Sequence, residues 1–176
     1  TLTRRFVDAA AGAGGPRRTR IWETRKTLPG LRALEKAAVR AGGGANHRGN
    51  LSDWVLLKDN HLTVLGIEDA VRRARERWPA RTVHVECDSL DQVEEALRAG
   101  ADALLLDNMT PDEMKTVAAL RDEIAGDHEI ALEASGGVTL NNVREIAETG
   151  VDFISIGALT HSAAALDFSM LLEAAT

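Results

Sequence analysis

Six short apolar runs recur along this chain, "RIWET", "WVLLK", "TVHVEC", "ALLLD", "EIALEAS" and "FISIGA", each followed by a stretch of different, polar-rich character. That recurrence constrains the fold more than any other feature. Runs so short and so apolar suit strands buried on both faces, as in a parallel sheet covered by helices. The segments "EALRAGADALLLDNMT" and "EIAETGVDFISIGALT" repeat one layout of amphipathic helix, Gly, Asp, buried strand and polar turn. Successive strands start roughly 20–30 residues apart, the length of one strand, one helix and two short loops. The expected fold class is α/β: an incomplete parallel α/β barrel, TIM-like with fewer than eight strands, favoured over a doubly wound open sheet.

Local signals punctuate this pattern. Thr110 with Pro111 and Glu113, and Ser89 with Gln92, have the spacing of capping boxes. Gly100, Gly126 and Gly150 fall where helices should end in a left-handed residue. Pro29 is expected as the first residue of a helix. "AGAGGPRR" at residues 11–18 and "AGGGANHRGN" at 41–50 read as flexible connections. "TLTRRFVDAAAG" reads as the tail of a helix that begins outside this chain, so the chain is expected to be a fragment or processed product. The expected domains are 1–18, a helix tail and Gly-rich linker, and 19–176, the barrel catalytic domain.

A net charge of −6 argues against a dedicated nucleic-acid binder, so any cations that bind anions must be locally concentrated. The single cysteine, Cys87, allows no intramolecular disulfide and no zinc cluster, and it is expected as a small core residue in a reducing cytoplasm. No apolar run approaches the roughly 20 residues that span a bilayer. The chain is expected to be soluble and cytoplasmic, with no membrane or nucleic-acid partner.

In a parallel barrel the strand C-termini line the active face, which changes how polar residues there are weighed. The six runs lead into Thr24, Arg25 and Lys26; Lys58, Asp59 and Asn60; Glu86 and Asp88; Asp107 and Asn108; Ser135, Gly136 and Gly137; Ser155 and Gly157. Arg25 and Lys26 are either surface charges or part of an anion pocket. Lys58, after "WVLL", should have a buried stem and either an acidic partner or a ligand. Glu86 and Asp107, at adjacent strand ends, can hold Mg2+ directly or through water when a phosphorylated substrate supplies further oxygens, or can form salt bridges to Lys26 or Lys58. His84 shares a strand face with Glu86 and is read as interior filling as readily as a catalyst. The glycines of "SGG" and "SIGA" let backbone N–H groups approach a phosphate, with a helix dipole expected to help. In "NHR", Arg48 can clamp a carboxylate with two parallel N–H bonds and His47 can add another. His61 has an orienting or packing role. A zinc hydrolase and a serine hydrolase have no support.

"TRKTLPGLR", "GGGANHRGNLSD", "LLKDNH", "VECDS", "LLLDNM", "EASGG" and "SIGALTHS" closely resemble, in order and spacing, the barrel domain of quinolinate phosphoribosyltransferases. The resemblance spans essentially the whole chain. It implies transfer of a phosphoribosyl group from phosphoribosyl pyrophosphate (PRPP) to quinolinate, giving nicotinate mononucleotide, pyrophosphate and CO2 in NAD biosynthesis. It implies a Mg2+-dependent transferase, a homodimer or higher oligomer with a site shared between subunits, and an N-terminal domain absent from this chain that supplies an arginine to the neighbouring site. Carried over by motif, Thr24, Arg25, Lys26, His47, Arg48 and Lys58 would bind the quinolinate carboxylates and the pyrophosphate. Lys26, Glu86 and Asp107 would be catalytic, the two acids facing ribose hydroxyls and Mg2+. Ser135, Gly136, Gly137, Gly157 and His161 would hold the 5′-phosphate. The chain departs from the family's usual pattern at Trp22 and Glu23, where Leu and Asp are common, and at Leu28, where Thr is common. Alternatives are a related barrel transferase using nicotinate, a molybdenum-associated paralogue, or a truncated, catalytically silent scaffold.

Overall fold

A computed structural model describes residues 1–13, 19–126 and 128–172. Most of the connection expected at 11–18 therefore lies outside the described residues. The chain opens with α1 (Leu2–Ala11), whose N-cap Thr1 accepts a hydrogen bond from the Arg4 N–H at 3.2 Å. There follow β1 (Arg20–Trp22), α2 (Arg32–Ala41), β2 (Val55–Leu57), α3 (Asp59–Leu65), α4 (Ile67–Arg77) and β3 (Val83–Cys87). The second half runs α5 (Leu90–Arg98), β4 (Ala103–Asp107), α6 (Pro111–Ala125), β5 (Ala131–Ser135), α7 (Val143–Ala147), β6 (Phe153–Ser155) and α8 (Ala158–His161). Each of the six strands falls inside one of the six apolar runs.

All strand pairs are parallel, in the order β1-β6-β5-β4-β3-β2. Drawn as a circle this is chain order with one break, between β1 and β2, so the sheet is a barrel left open at a single seam. On the seam side of β1 the Ala45 N–H donates to the Ile21 carbonyl at 2.8 Å beside a Trp22–Ala45 bridge. The loop thus meets β1 at Ala45, on the edge where a further strand would run.

The register divides the side chains between two faces. Val83, Val85, Cys87, Leu104, Leu106, Leu132, Ala134 and Ile154 are fully enclosed, and they pack under the helices with Val71, Val93, Val117 and Val143. The alternate positions, His84, Glu86, Leu105, Asp107, Glu133, Ser135 and Ser155, form the other face, with Leu105 opposite Glu133 and Asp107 opposite Ser135. Phe6 and Ala10 of α1 belong to the same core as the strands. Burial of the Cys87 thiol pushes its pKa up to about 12, which keeps it protonated and unreactive.

Helix boundaries follow local chemistry with two corrections. Thr110 and Glu113 form the expected capping box, with Pro111 in the first turn. At α5 the Ser89 side chain makes no cap bond; Gln92 instead accepts from the Asp88 N–H at 3.0 Å, one residue earlier. Pro29 lies in a turn, and α2 starts three residues later at Arg32, because Gly30 takes a left-handed φ of 77° that no helix accommodates. Gly100, Gly126 and Gly150 all have positive φ and follow α5, α6 and α7, as expected.

Candidate active site

The strand C-termini carry nearly all of the chemically distinctive side chains. β1 leads to Thr24, Arg25 and Lys26, where the Lys26 N–H donates to Thr24 Oγ1 at 3.1 Å and its carbonyl accepts from Thr160 Oγ1 at 2.7 Å. The first-strand loop is thereby tied to α8. Arg32, at the start of α2, ties it to the other cationic loop: its guanidinium donates to the Arg25 carbonyl, to Thr27 Oγ1 and to the Gly49 carbonyl at 2.9–3.2 Å. Asp53 closes that loop from beyond, accepting from the Gly49 N–H at 2.7 Å.

These ties bring Arg25 and Arg48 together. Arg48 is 7% exposed, and burial followed by the charge of Arg25 lowers its proton affinity, while Glu133, Asp53 and Glu86 raise it. The Nε atoms of both arginines are buried without a partner. Two like charges held close with donors unused is an arrangement an anion would complete. His47 lies beside them, buried, with its Nε2 3.5 Å from Glu133 and its ring against Trp22 and Trp54. The Trp54 ring in turn stacks on His84. Burial pushes the His84 pKa down to about 4, so it is neutral at physiological pH and fills the interior.

Lys58 differs from its expected state. Its side chain is 45% exposed, so the stem is not enclosed, and its ammonium is ion-paired with Glu86, one of the partners anticipated for it. His61 Nδ1 accepts from the Lys58 N–H at 3.0 Å, an orienting contact at the start of α3. Glu86 and Asp107 line a cavity of about 440 Å³ together with Asp59 and Asp88. Arg48 lines a second, larger groove along β2 and α4 with Trp54 and His61. Among the described residues no group of three or more His, Cys, Asp or Glu is placed to hold a metal ion unaided. Two carboxylates on one cavity suit a hard cation that brings diphosphate oxygens with it rather than one caged by protein.

The glycine turns are built for close approach. Gly136 has φ 93°, and a Cβ there would lie 2.2 Å from Asn108 Oδ1, so no other residue fits. Asn108 is itself left-handed, φ 56°, with its N–H on the Ser135 carbonyl at 2.9 Å. A Cβ on Gly157 would meet His161 Nε2 at 2.6 Å, which places His161 against the second turn. The expected helix dipole is not available: α8 has four residues, and α7 begins six positions after Gly137. Backbone N–H groups, not a macrodipole, are what these turns offer. Ser155 does not face the strand ends either; its hydroxyl donates to Glu133 inside the sheet.

Sequence reasoning passed over five contributing residues. Glu133 was hidden in "EIALEAS", where its signal was a charge in phase with Ser135 on an otherwise apolar strand. Glu23 and Lys36 form a buried pair, with Lys36 Nζ also donating to the His47 carbonyl at 2.9 Å. Arg32 reaches Gly49, 17 residues away, and Trp54 stacks on Trp22 and His84, 30 or more residues away, contacts for which no local pattern exists.

A parallel α/β domain whose strand ends gather cations, carboxylates and glycine turns defines a strand-end anion site on a barrel-type fold. The chain belongs to the family described as quinolinate phosphoribosyl transferase, C-terminal domain, which it matches over residues 1–171. It is 45% identical over 171 residues to the nicotinate-nucleotide pyrophosphorylase [carboxylating] of Mycobacterium leprae, covering 97% of this chain and 58% of that protein. The human protein of the same name is 44% identical over 171 residues, with 96% and 56% covered. The crystal structure of nicotinate-nucleotide pyrophosphorylase from Ehrlichia chaffeensis superposes with a TM-score of 0.82 at 44% identity, covering 92% of this chain and 56% of that one. The chain thus spans a little over half the length of these relatives.

Proposed function

We propose that the protein carrying this chain transfers a phosphoribosyl group from PRPP to quinolinate with decarboxylation, yielding nicotinate mononucleotide, pyrophosphate and CO2 in NAD biosynthesis. The observation that carries this reading is the juxtaposition of Arg25 and Arg48, both with buried unpartnered Nε atoms, at the strand ends of a chain in this family. Two guanidiniums and His47 suit a ligand with two carboxylates, and a monocarboxylate would leave one of them unmatched.

Thr24, Arg25, Lys26, His47, Arg48 and Lys58 bind the quinolinate carboxylates and the pyrophosphate. Ser135, Gly136, Gly137, Gly157 and His161 hold the 5′-phosphate through backbone N–H groups and the imidazole. Glu86 and Asp107 face the ribose hydroxyls and would hold Mg2+, which neutralises charge on the departing pyrophosphate. Lys58 must exchange Glu86 for ligand oxygens as the site fills, which frees that carboxylate.

As pyrophosphate leaves, the ribosyl carbon gains positive charge, and the carboxylates of Glu86 and Asp107 stabilise it through space. The pyridine nitrogen then bonds to that carbon. The resulting ring cation accepts the electron pair released when the adjacent carboxylate departs as CO2. No protein nucleophile is needed: the arginines orient the acid and Lys26 holds the leaving group, so the protein's contribution is positioning and charge. The site is completed between subunits of a homo-oligomer by residues from outside this chain.

Full-length protein incubated with quinolinate, PRPP and Mg2+ should release CO2 and form pyridine nucleotide in equal amounts. Turnover with nicotinate but none with quinolinate would overturn the assignment.

A further inference from the structure

Glu133 is used by nothing in the mechanism above, yet it is the most enclosed acid on the interior face of the sheet after Glu23. It is 1% exposed, in the middle of β5. One carboxylate oxygen accepts from Ser155 Oγ and lies 3.5 Å from His47 Nε2; the other is buried without a partner. Among the described residues no lysine or arginine reaches ion-pairing distance of it. A carboxylate so placed must be balanced by charge nearby or lose its own. The balancing charge is in the bowl, because Glu133 supports the protonated form of Arg48 more than Asp53 or Glu86 does, against burial and the repulsion from Arg25.

We propose that Glu133 is a resident counter-anion of the cationic bowl: set against His47, the chain neighbour of Arg48, it holds the cations together while the bowl is empty, and its charge limits how tightly the bowl takes a dianion. Glu133 touches no substrate and acts through His47 and Arg48, so its role is one of positioning. The identity of the pyridine ligand rests on the function proposed above; the counter-charge does not. Removing the negative charge leaves the empty bowl more repulsive and its potential more positive. The protein should become less stable without ligand and bind anions more tightly, the gain growing with ligand charge. A residue needed only for packing would lower stability and weaken binding together.

Glu133→Gln in the full-length protein separates the two, since the amide keeps an acceptor for the Ser155 hydroxyl. Thermal midpoints without ligand are measured beside calorimetric Kd values for pyridine-2,3-dicarboxylate, pyridine-3-carboxylate and inorganic pyrophosphate, at low and high salt. The expected result is a midpoint lower by about 2–4 °C. The dicarboxylate should bind about tenfold more tightly, the monocarboxylate should gain less, and both gains should shrink at high salt. Adding Arg48→Gln to Glu133→Gln restores the charge balance and should recover the midpoint. Unchanged or weaker binding by Glu133→Gln overturns the proposal, as does an unchanged midpoint. Should the single variant fail to fold, folding of the double variant upholds the counter-charge and failure of both overturns it. Wild-type protein that ignores both pyridine carboxylates but binds pyrophosphate would sink the assigned reaction and leave Glu133 to be judged on pyrophosphate. Wild type that binds none of the three sinks both.

Discussion

Glu23 and Lys36 form an ion pair in which both side chains are buried. Burial raises the Glu23 pKa, and the bond to Lys36 opposes that rise. Lys36 also anchors the His47 carbonyl, so the pair sets where the "NHR" loop begins. Lys36→Met leaves a carboxylate enclosed without its cation and should cost about 3–5 kcal/mol, measured by denaturant unfolding. Glu23→Leu with Lys36→Met should recover much of that loss, because it removes the stranded charge. His84 gives a pH prediction of definite sign. The unfolded chain protonates this imidazole near 6.5, while the folded one resists until about 4. Its stabilising effect is therefore complete above pH 6.5 and lost as pH falls toward 4, by at most about 3 kcal/mol at 1.36 kcal/mol per pH unit. His84→Phe, which keeps a ring against Trp54, should flatten this part of the stability–pH curve.

At the scale of elements, the strand ends were legible because parallel strands need unbroken apolar runs, and the first polar residue after each run marks the exit to the active face. The six runs and the Thr110 cap were read from such local rules. Pro29 and Ser89 were misread because a proline or serine is compatible with several positions around a helix start, and Gly30 and Asp88 decided which. The loops that present the cations are held by Arg32, whose three acceptors lie on two separate segments. Arg32→Met should leave the fold intact by circular dichroism, since all three bonds are made by its partly buried guanidinium at the surface. It should weaken dicarboxylate binding by about tenfold, because the three charge-assisted bonds that order the site are lost. Unchanged affinity in a titration would show that the loops are set without it.

The whole molecule is shaped by its seam. β4 and β5 are paired on both sides, whereas β1 and β2 are the ends of the sheet order. Hydrogen exchange should be slowest for amides in β4 and β5 and distinctly faster in β2, whose outer edge faces the groove lined by Trp54 and Leu57. Equal protection of β2 and β4 would mean that this edge is covered in solution. Alternation of apolar runs with helices was enough to determine a parallel α/β sheet in chain order, because burial on both faces leaves strands few other arrangements. The ordered motifs were likewise enough to place the chain in its family. The sequence could not say that the barrel opens between β1 and β2, which of its possible acids Lys58 takes, or that Glu133 meets His47 and Ser155. Those depend on which side chains meet across strands 20 or more residues apart, and Coulomb and hydrogen-bond energies act on distances in space that no local pattern encodes.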